Sequence, residues 1–118
     1  SVKRGCETSN CGLCTVWMDE KPVLSCSIPA VRAAGHKITT LEGVQEEAAE
    51  FSDYLAKEGA DQCGYCSPGM IMNVLALKRE IPNPTMQQVK EYLAGNLCRC
   101  TGYQGQYRAL AKYFGVEE

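Results

Sequence analysis

The chain has 118 residues, 45% of them hydrophobic, which is enough to bury a modest core in one domain or in two very small ones. Twelve basic against fourteen acidic residues leave a net charge of -2, with no run of five like charges and no basic stripe, which argues against nucleic acid as a partner. The opening SVKRGCETSN has no apolar signal-peptide core and no stretch approaches the roughly 18 apolar residues of a membrane span, so a soluble, cytoplasmic chain is expected.

Eight cysteines stand out from this background. They fall into two groups, Cys6, Cys11, Cys14 and Cys26, then Cys63, Cys66, Cys98 and Cys100, and are not dispersed as staples between distant loops. C-x-x-C and C-x-C spacings suit metal ligation or redox chemistry, and a disulfide's fixed geometry is awkward between residues i and i+2, so a disulfide scaffold is set aside.

The first group begins the chain as Cys6-x4-Cys11-x2-Cys14, with Cys26 after eleven more residues. This is the plant-type [2Fe-2S] spacing, in which a loop wraps three thiolates around a cluster and a fourth comes from further along. Gly5 and Gly12 let such a loop bend. Zinc also accepts four cysteines, but usually through a pair of C-x-x-C knuckles, which the x4 spacing fits poorly. Two β-prone runs follow, Thr15 to Met18 and Val23 to Cys26, around the turn-like DEKP, and a hairpin there would return Cys26 to the first three cysteines. Next come a break at Gly35, a short β-prone KITT, and a capping box of Thr39 with Glu42 that could open a helix. From Val44 to Glu58, Val44, Ala48, Phe51 and Leu55 keep helical spacing and predict one buried face.

In the second half a cysteine pair twice precedes a helix. Cys66 leads into SPGMIMNVLALKRE, with Ser67 as N-cap, Pro68 at the first helical position, and an apolar face of Met70, Ile71, Val74, Leu75 and Leu77. Cys100 leads into TGYQGQYRALAKYF, with Thr101 and Gln104 as a capping box and Tyr107, Leu110, Ala111 and Phe114 facing inward. Between them PTMQQVKEYLAG predicts a helix capped by Thr85 and Gln88 and stopped by Gly95. Four helices, paired twice around a cysteine pair, predict a small bundle with approximate two-fold symmetry and a metal site where the two cysteine loops meet.

That second site combines Cys63-x2-Cys66 with Cys98-x-Cys100, a spacing unlike common zinc ribbons. In an extended segment Cys98 and Cys100 face one side while Arg99 points away. Cys66 and Cys100 ahead of two helix N-termini would set two positive dipole ends against an anionic, thiolate-bound centre. On the residues alone a second cluster and a zinc ion both remain open.

Taken together, GCETSNCGLCTV, SC, TTLEG, QCGYCSPG and GNLCRCTGY resemble, in order, the small iron-sulfur subunit of molybdenum hydroxylases, the group of xanthine dehydrogenase, aldehyde oxidoreductase and nicotinate dehydrogenase. The resemblance runs from about Gly5 to Tyr107 and uses all eight cysteines. It implies an α+β chain, with part of a β-grasp, plant-ferredoxin-like domain over 1–40 and a four-helix bundle over 41–118. It implies that Cys6, Cys11, Cys14 and Cys26 ligate one [2Fe-2S] cluster and Cys63, Cys66, Cys98 and Cys100 the other. It further implies that Gln62 and Cys100 approach a molybdopterin cofactor in a large partner subunit, and that electrons pass through both clusters to FAD in another partner. The substrate, an aldehyde or N-heterocycle, would be oxidised on the large subunit. This chain would then be part of an oxidoreductase that carries electrons without performing the substrate chemistry.

The family has about forty residues before its first cluster motif, so the first domain is expected to be an incomplete β-grasp. Ser9 stands where the family motif commonly has glycine. Arg99, Lys3 and Arg4 could tune local charge or simply be solvated. His36 has no evident ligand partner, and Trp17, Met70 and Met72 read as packing residues. No nucleophile-base constellation and no phosphate loop is present. The alternatives are a zinc-stabilised interaction domain and a free-standing two-cluster ferredoxin.

Overall fold

The computed structural model describes residues 1–118. Three strands, β1 (Thr15–Met18), β2 (Lys21–Leu24) and β3 (Ile38–Thr39), form an antiparallel sheet in the order β2-β1-β3. Four helices follow, α1 (Gln45–Lys57), α2 (Ser67–Glu80), α3 (Met86–Tyr92) and α4 (Gln104–Phe114), giving the expected α+β chain.

The hairpin forms where expected, but β2 begins at Lys21, because Asp19 and Glu20 alone make the turn, with φ of 53° and 68°. Two positive φ values give the turn the twist that a two-residue hairpin needs. Pro22 is tolerated because β2 is an edge strand. Beyond Leu24 the chain tightens into a short helical turn, Ser25–Ser27, which carries Cys26. The Ser25 N–H and hydroxyl both bond the Cys14 carbonyl, at 3.3 and 2.8 Å, and so bring Cys26 beside the first loop.

Alternation along β1 sends Trp17 to one face of the sheet and Val16 and Met18 to the other. Trp17 is 1% exposed, joins the core formed by the helices, and donates its indole N–H to the Met72 carbonyl at 2.9 Å. One tryptophan thereby fixes the sheet against the middle of α2.

The helices follow the apolar periodicity more closely than the capping signals. Ala48, Phe51 and Leu55 are buried on α1, and α2 is buried over nearly its whole girth from Gly69 to Leu77. Each helix packs on two neighbours, α1 on α2 and α4, α3 on α2 and α4, so the four close a ring. Leu110 and Ala111 are buried on α4 as expected, whereas Tyr107 and Phe114 are half-buried against the core.

Of the three proposed capping boxes only Thr85 with Gln88 forms. Thr39 is paired with Trp17 in the sheet, and a turn at Leu41–Gly43 separates it from α1. Thr101 is engaged elsewhere, and Tyr103, in the left-handed region at φ 71°, precedes α4. Ser67 is the first residue of α2 and bonds Asp61 Oδ1 at 3.3 Å, leaving Cys66 in the cap position. Helix α3 ends at Tyr92, short of Gly95, in a turn closed by the Asn96 N–H on the Leu93 carbonyl at 3.0 Å.

Candidate metal centre

All eight cysteines carry free thiols. The first four line a cavity of about 260 Å³ together with Gly5 and Ser25. The second four line another, of about 490 Å³, and Cys6 and Cys11 form part of its wall as well. Each sequence-derived quartet therefore meets in space, and the two cavities adjoin.

Within each quartet the thiols influence one another, most strongly Cys11 on Cys6, Cys14 on Cys26, Cys63 on Cys100 and Cys98 on Cys66, and also Cys6 on Cys26, Cys63 on Cys66 and Cys98 on Cys100. A single zinc needs four sulfurs on one tetrahedron of about 2.3 Å radius. Four thiols lining a cavity of about 260 Å³ or 490 Å³ instead suit a larger group with two irons, so the donor set fits [2Fe-2S] better than zinc.

The loops are built to aim N–H and O–H groups at sulfur. The Asn10 N–H donates to Cys6 Sγ at 3.4 Å, Leu13 N–H to Cys11 Sγ at 3.5 Å, and Tyr65 N–H to Cys63 Sγ at 3.4 Å. Backbone N–H groups of Thr8, Asn10 and Cys11 push the Cys6 thiol down to about 6. Burial, with neighbouring thiols, pushes Cys66 up to about 11. At Cys98 burial works upward, but the Thr101 hydroxyl and the N–H groups of Thr101 and Cys100 outweigh it and the thiol is lowered. Donors to sulfur favour the charged thiolate, which is the form that ligates iron.

Three features went unread in the sequence. Gln106, 3% exposed, directs its amide at Cys66 Sγ at 3.8 Å from α4; a glutamine on an apolar face, one turn before Leu110, was the available signal. Tyr65 joins the two cysteine loops, its hydroxyl on the Arg4 carbonyl at 3.4 Å and its ring 5.3 Å from Lys3 Nζ. Asn96, 8% exposed, bonds the Asn73 side chain and the Gly12 carbonyl, the latter at 3.4 Å. Nothing in the spacing of asparagines marks that last role.

Between the quartets the backbone makes one short link, the Leu97 N–H on the Cys11 carbonyl at 3.0 Å. Gly12 stands in this contact with φ 75°, and a Cβ there would collide with the Gly95 carbonyl and the Asn96 side chain. Gly69, at the start of α2, is packed against the Gly12 carbonyl in the same way.

The other expected placements divide. Cys98 and Cys100 both line the second cavity, as expected, but the chain bends at Arg99 and Cys100, so that Cys98 is buried and Cys100 exposed, and Arg99 lines the same cavity and does not point away. The dipole argument holds for Cys66, which abuts α2, and not for Cys100, which Thr101, Gly102 and Tyr103 separate from α4. Gln62 and Cys100 are both exposed. His36 bonds Asp19 at the hairpin turn, while Met70 and Met72 are buried in the core. No helix is long and apolar enough to cross a membrane.

Comparison with known proteins agrees with this chemistry. A family model described as a [2Fe-2S] binding domain matches residues 40–111. The chain is 47% identical over 109 residues to the xanthine dehydrogenase iron-sulfur-binding subunit of Escherichia coli O157:H7, covering 88% of this chain and 68% of that one. It is 45% identical over 105 residues to the nicotinate dehydrogenase small FeS subunit of Eubacterium barkeri, covering 87% and 67%. Its fold superposes on quinoline 2-oxidoreductase from Pseudomonas putida 86 with a TM-score of 0.83 at 39% identity, over 92% of this chain and 68% of that one. The chain thus spans about two thirds of the length of these relatives.

Proposed function

The chain belongs to the [2Fe-2S]-binding family that includes the small iron-sulfur subunits of molybdenum hydroxylases, and from that membership we propose that it is the electron-transfer subunit of such an enzyme. The observation that carries the reading is the arrangement of eight thiols as two quartets, each lining its own cavity, with Cys6 and Cys11 shared between the walls. Cys6, Cys11, Cys14 and Cys26, within 1–40, hold one cluster. Cys63, Cys66, Cys98 and Cys100, within 41–118, hold the other. When bound, a [2Fe-2S] group stores and releases one electron at a time. The residues of this chain supply the thiolates, surround them with N–H donors, and bring the two quartets together through the Cys11–Leu97 bond.

Hydroxylation of an aldehyde or N-heterocycle removes two electrons at once, and two one-electron sites in series accept that pair singly. The partners are a large molybdopterin-binding subunit and an FAD-binding subunit. Gln62 and Cys100 face the pterin and both are exposed; Cys100 lines the second cavity with Tyr65 and Leu97, which are 49% and 45% exposed and give that rim an apolar character suited to docking. A cytoplasmic location suits eight cysteines held as thiolates, since a reducing compartment keeps them from pairing.

Native purification with metal and sulfide analysis tests this. About four iron and four sulfide per chain, two EPR signals on reduction and a copurifying molybdenum subunit are expected. Zinc without labile sulfide would sink the cluster assignment, and a chain that purifies alone with both clusters would leave only a free-standing ferredoxin.

A further inference from the structure

We propose that Thr101 and Tyr103 are positioning residues that set the reduction potential of the second centre by controlling both polar ends of Cys98, an inference that rests on Cys98 being an iron ligand as assigned above. The three residues form a closed circuit of hydrogen bonds. The Thr101 hydroxyl donates to Cys98 Sγ at 3.1 Å. The same oxygen accepts the Tyr103 N–H at 3.1 Å. The Tyr103 hydroxyl then accepts the Cys98 N–H at 2.9 Å.

Two facts show that this circuit is specified and not incidental. Tyr103 sits at φ 71°, a region unfavourable to an L-residue, and it occupies the position before α4 where an ordinary cap would avoid that strain. Thr101 was the obvious cap for α4, yet its hydroxyl makes no capping bond and goes to sulfur. The strained backbone of Tyr103 is what places its N–H on Thr101 and its phenol back over Cys98, which is 9% exposed.

The electrostatic consequence has a sign. A hydroxyl donating to a ligand sulfur stabilises the more negative, reduced state and raises the potential, and accepting the Tyr103 N–H polarises that hydroxyl further. The Tyr103 phenol has the opposite effect, because it keeps the Cys98 N–H engaged away from sulfur.

The test is an EPR-monitored redox titration of the assembled protein. Thr101→Val, which keeps the side-chain shape and removes the donor, shifts the midpoint of the second cluster to more negative potential, while Thr101→Ser keeps the wild-type value. Tyr103→Phe, which frees the Cys98 N–H, shifts it positive. The first cluster stays unmoved in all three. Equal potentials in Thr101→Val and wild type, or parallel movement of both clusters, overturn the proposal. Should Thr101→Val hold no second cluster, Tyr103→Phe decides, an unchanged midpoint overturning it. Absence of a second cluster from the wild type, by iron and sulfide analysis, instead overturns the ligand assignment beneath it.

Discussion

At Ser9 the backbone takes φ 60°, and its hydroxyl lies 2.6 Å from that of Ser27 next to Cys26. The first observation explains why glycine suits this loop position; the second is what serine adds. Ser9→Ala loses the hydrogen bond and keeps the strain, whereas Ser9→Gly loses the bond and relieves the strain. The glycine variant should therefore be more stable than the alanine variant by about 1 kcal/mol in thermal unfolding. Equal stabilities would mean that the left-handed conformation is not held in solution. Gly12 has no such latitude. Gly12→Ala combines a left-handed strain of about 1–2 kcal/mol with overpacking of about 1–3 kcal/mol against Gly95 and Asn96, at the link between the quartets. Loss of iron from both centres is expected by metal analysis; full retention would show that the contact yields easily.

At the scale of elements, the four helices and the hairpin are legible in the sequence, most clearly where apolar residues keep a helical period, although β2 starts two residues before its predicted run and ends short of Cys26. Val44 to Glu58 is α1 almost to the residue, since Ala48, Phe51 and Leu55 had only one way to be buried together. The two cysteine quartets were equally legible from spacing. Most caps were not, because a hydroxyl serves whichever acceptor the tertiary structure brings closest: Thr101 found the sulfur of Cys98 and Ser67 the carboxylate of Asp61. Gln106 and Asn96 escaped notice for the same reason, as their partners lie 40 residues away on Cys66 and 84 away on Gly12. Trp17 is a packing residue, as its place on a short strand suggests, and it also bonds α2. Trp17→Phe removes that bond and part of the ring volume, so a loss of about 2–3 kcal/mol is expected in urea unfolding. A loss below about 0.5 kcal/mol would show that the indole N–H is not needed to dock the sheet.

Across the whole molecule, the ring of helices is tied where α1 meets α4. Glu58, just past the end of α1, pairs with Lys112 and, at 3.2 Å, with Arg108. Lys112 foremost, then Arg108, hold its carboxyl below the usual 4.5. A lowered folded-state value means that this contribution is complete above about pH 4.5 and disappears as acid carries the solution through the folded value. Wild type should thus exceed Glu58→Gln in stability near neutrality, and the gap should narrow as the pH falls below about 4.5 and close once it is below the folded-state value, measured by far-UV ellipticity in denaturant at each pH. A gap independent of pH would assign the effect to packing. The tryptophan on β1 bears on how such subunits could be recombined. Its indole fills the core of the helical half, although it is encoded ahead of residue 41. A hybrid joined between residues 40 and 41 would give the transplanted bundle another sheet's aromatic to accommodate, or a hollow over Met72, so graft junctions should keep β1 and α2 from one parent.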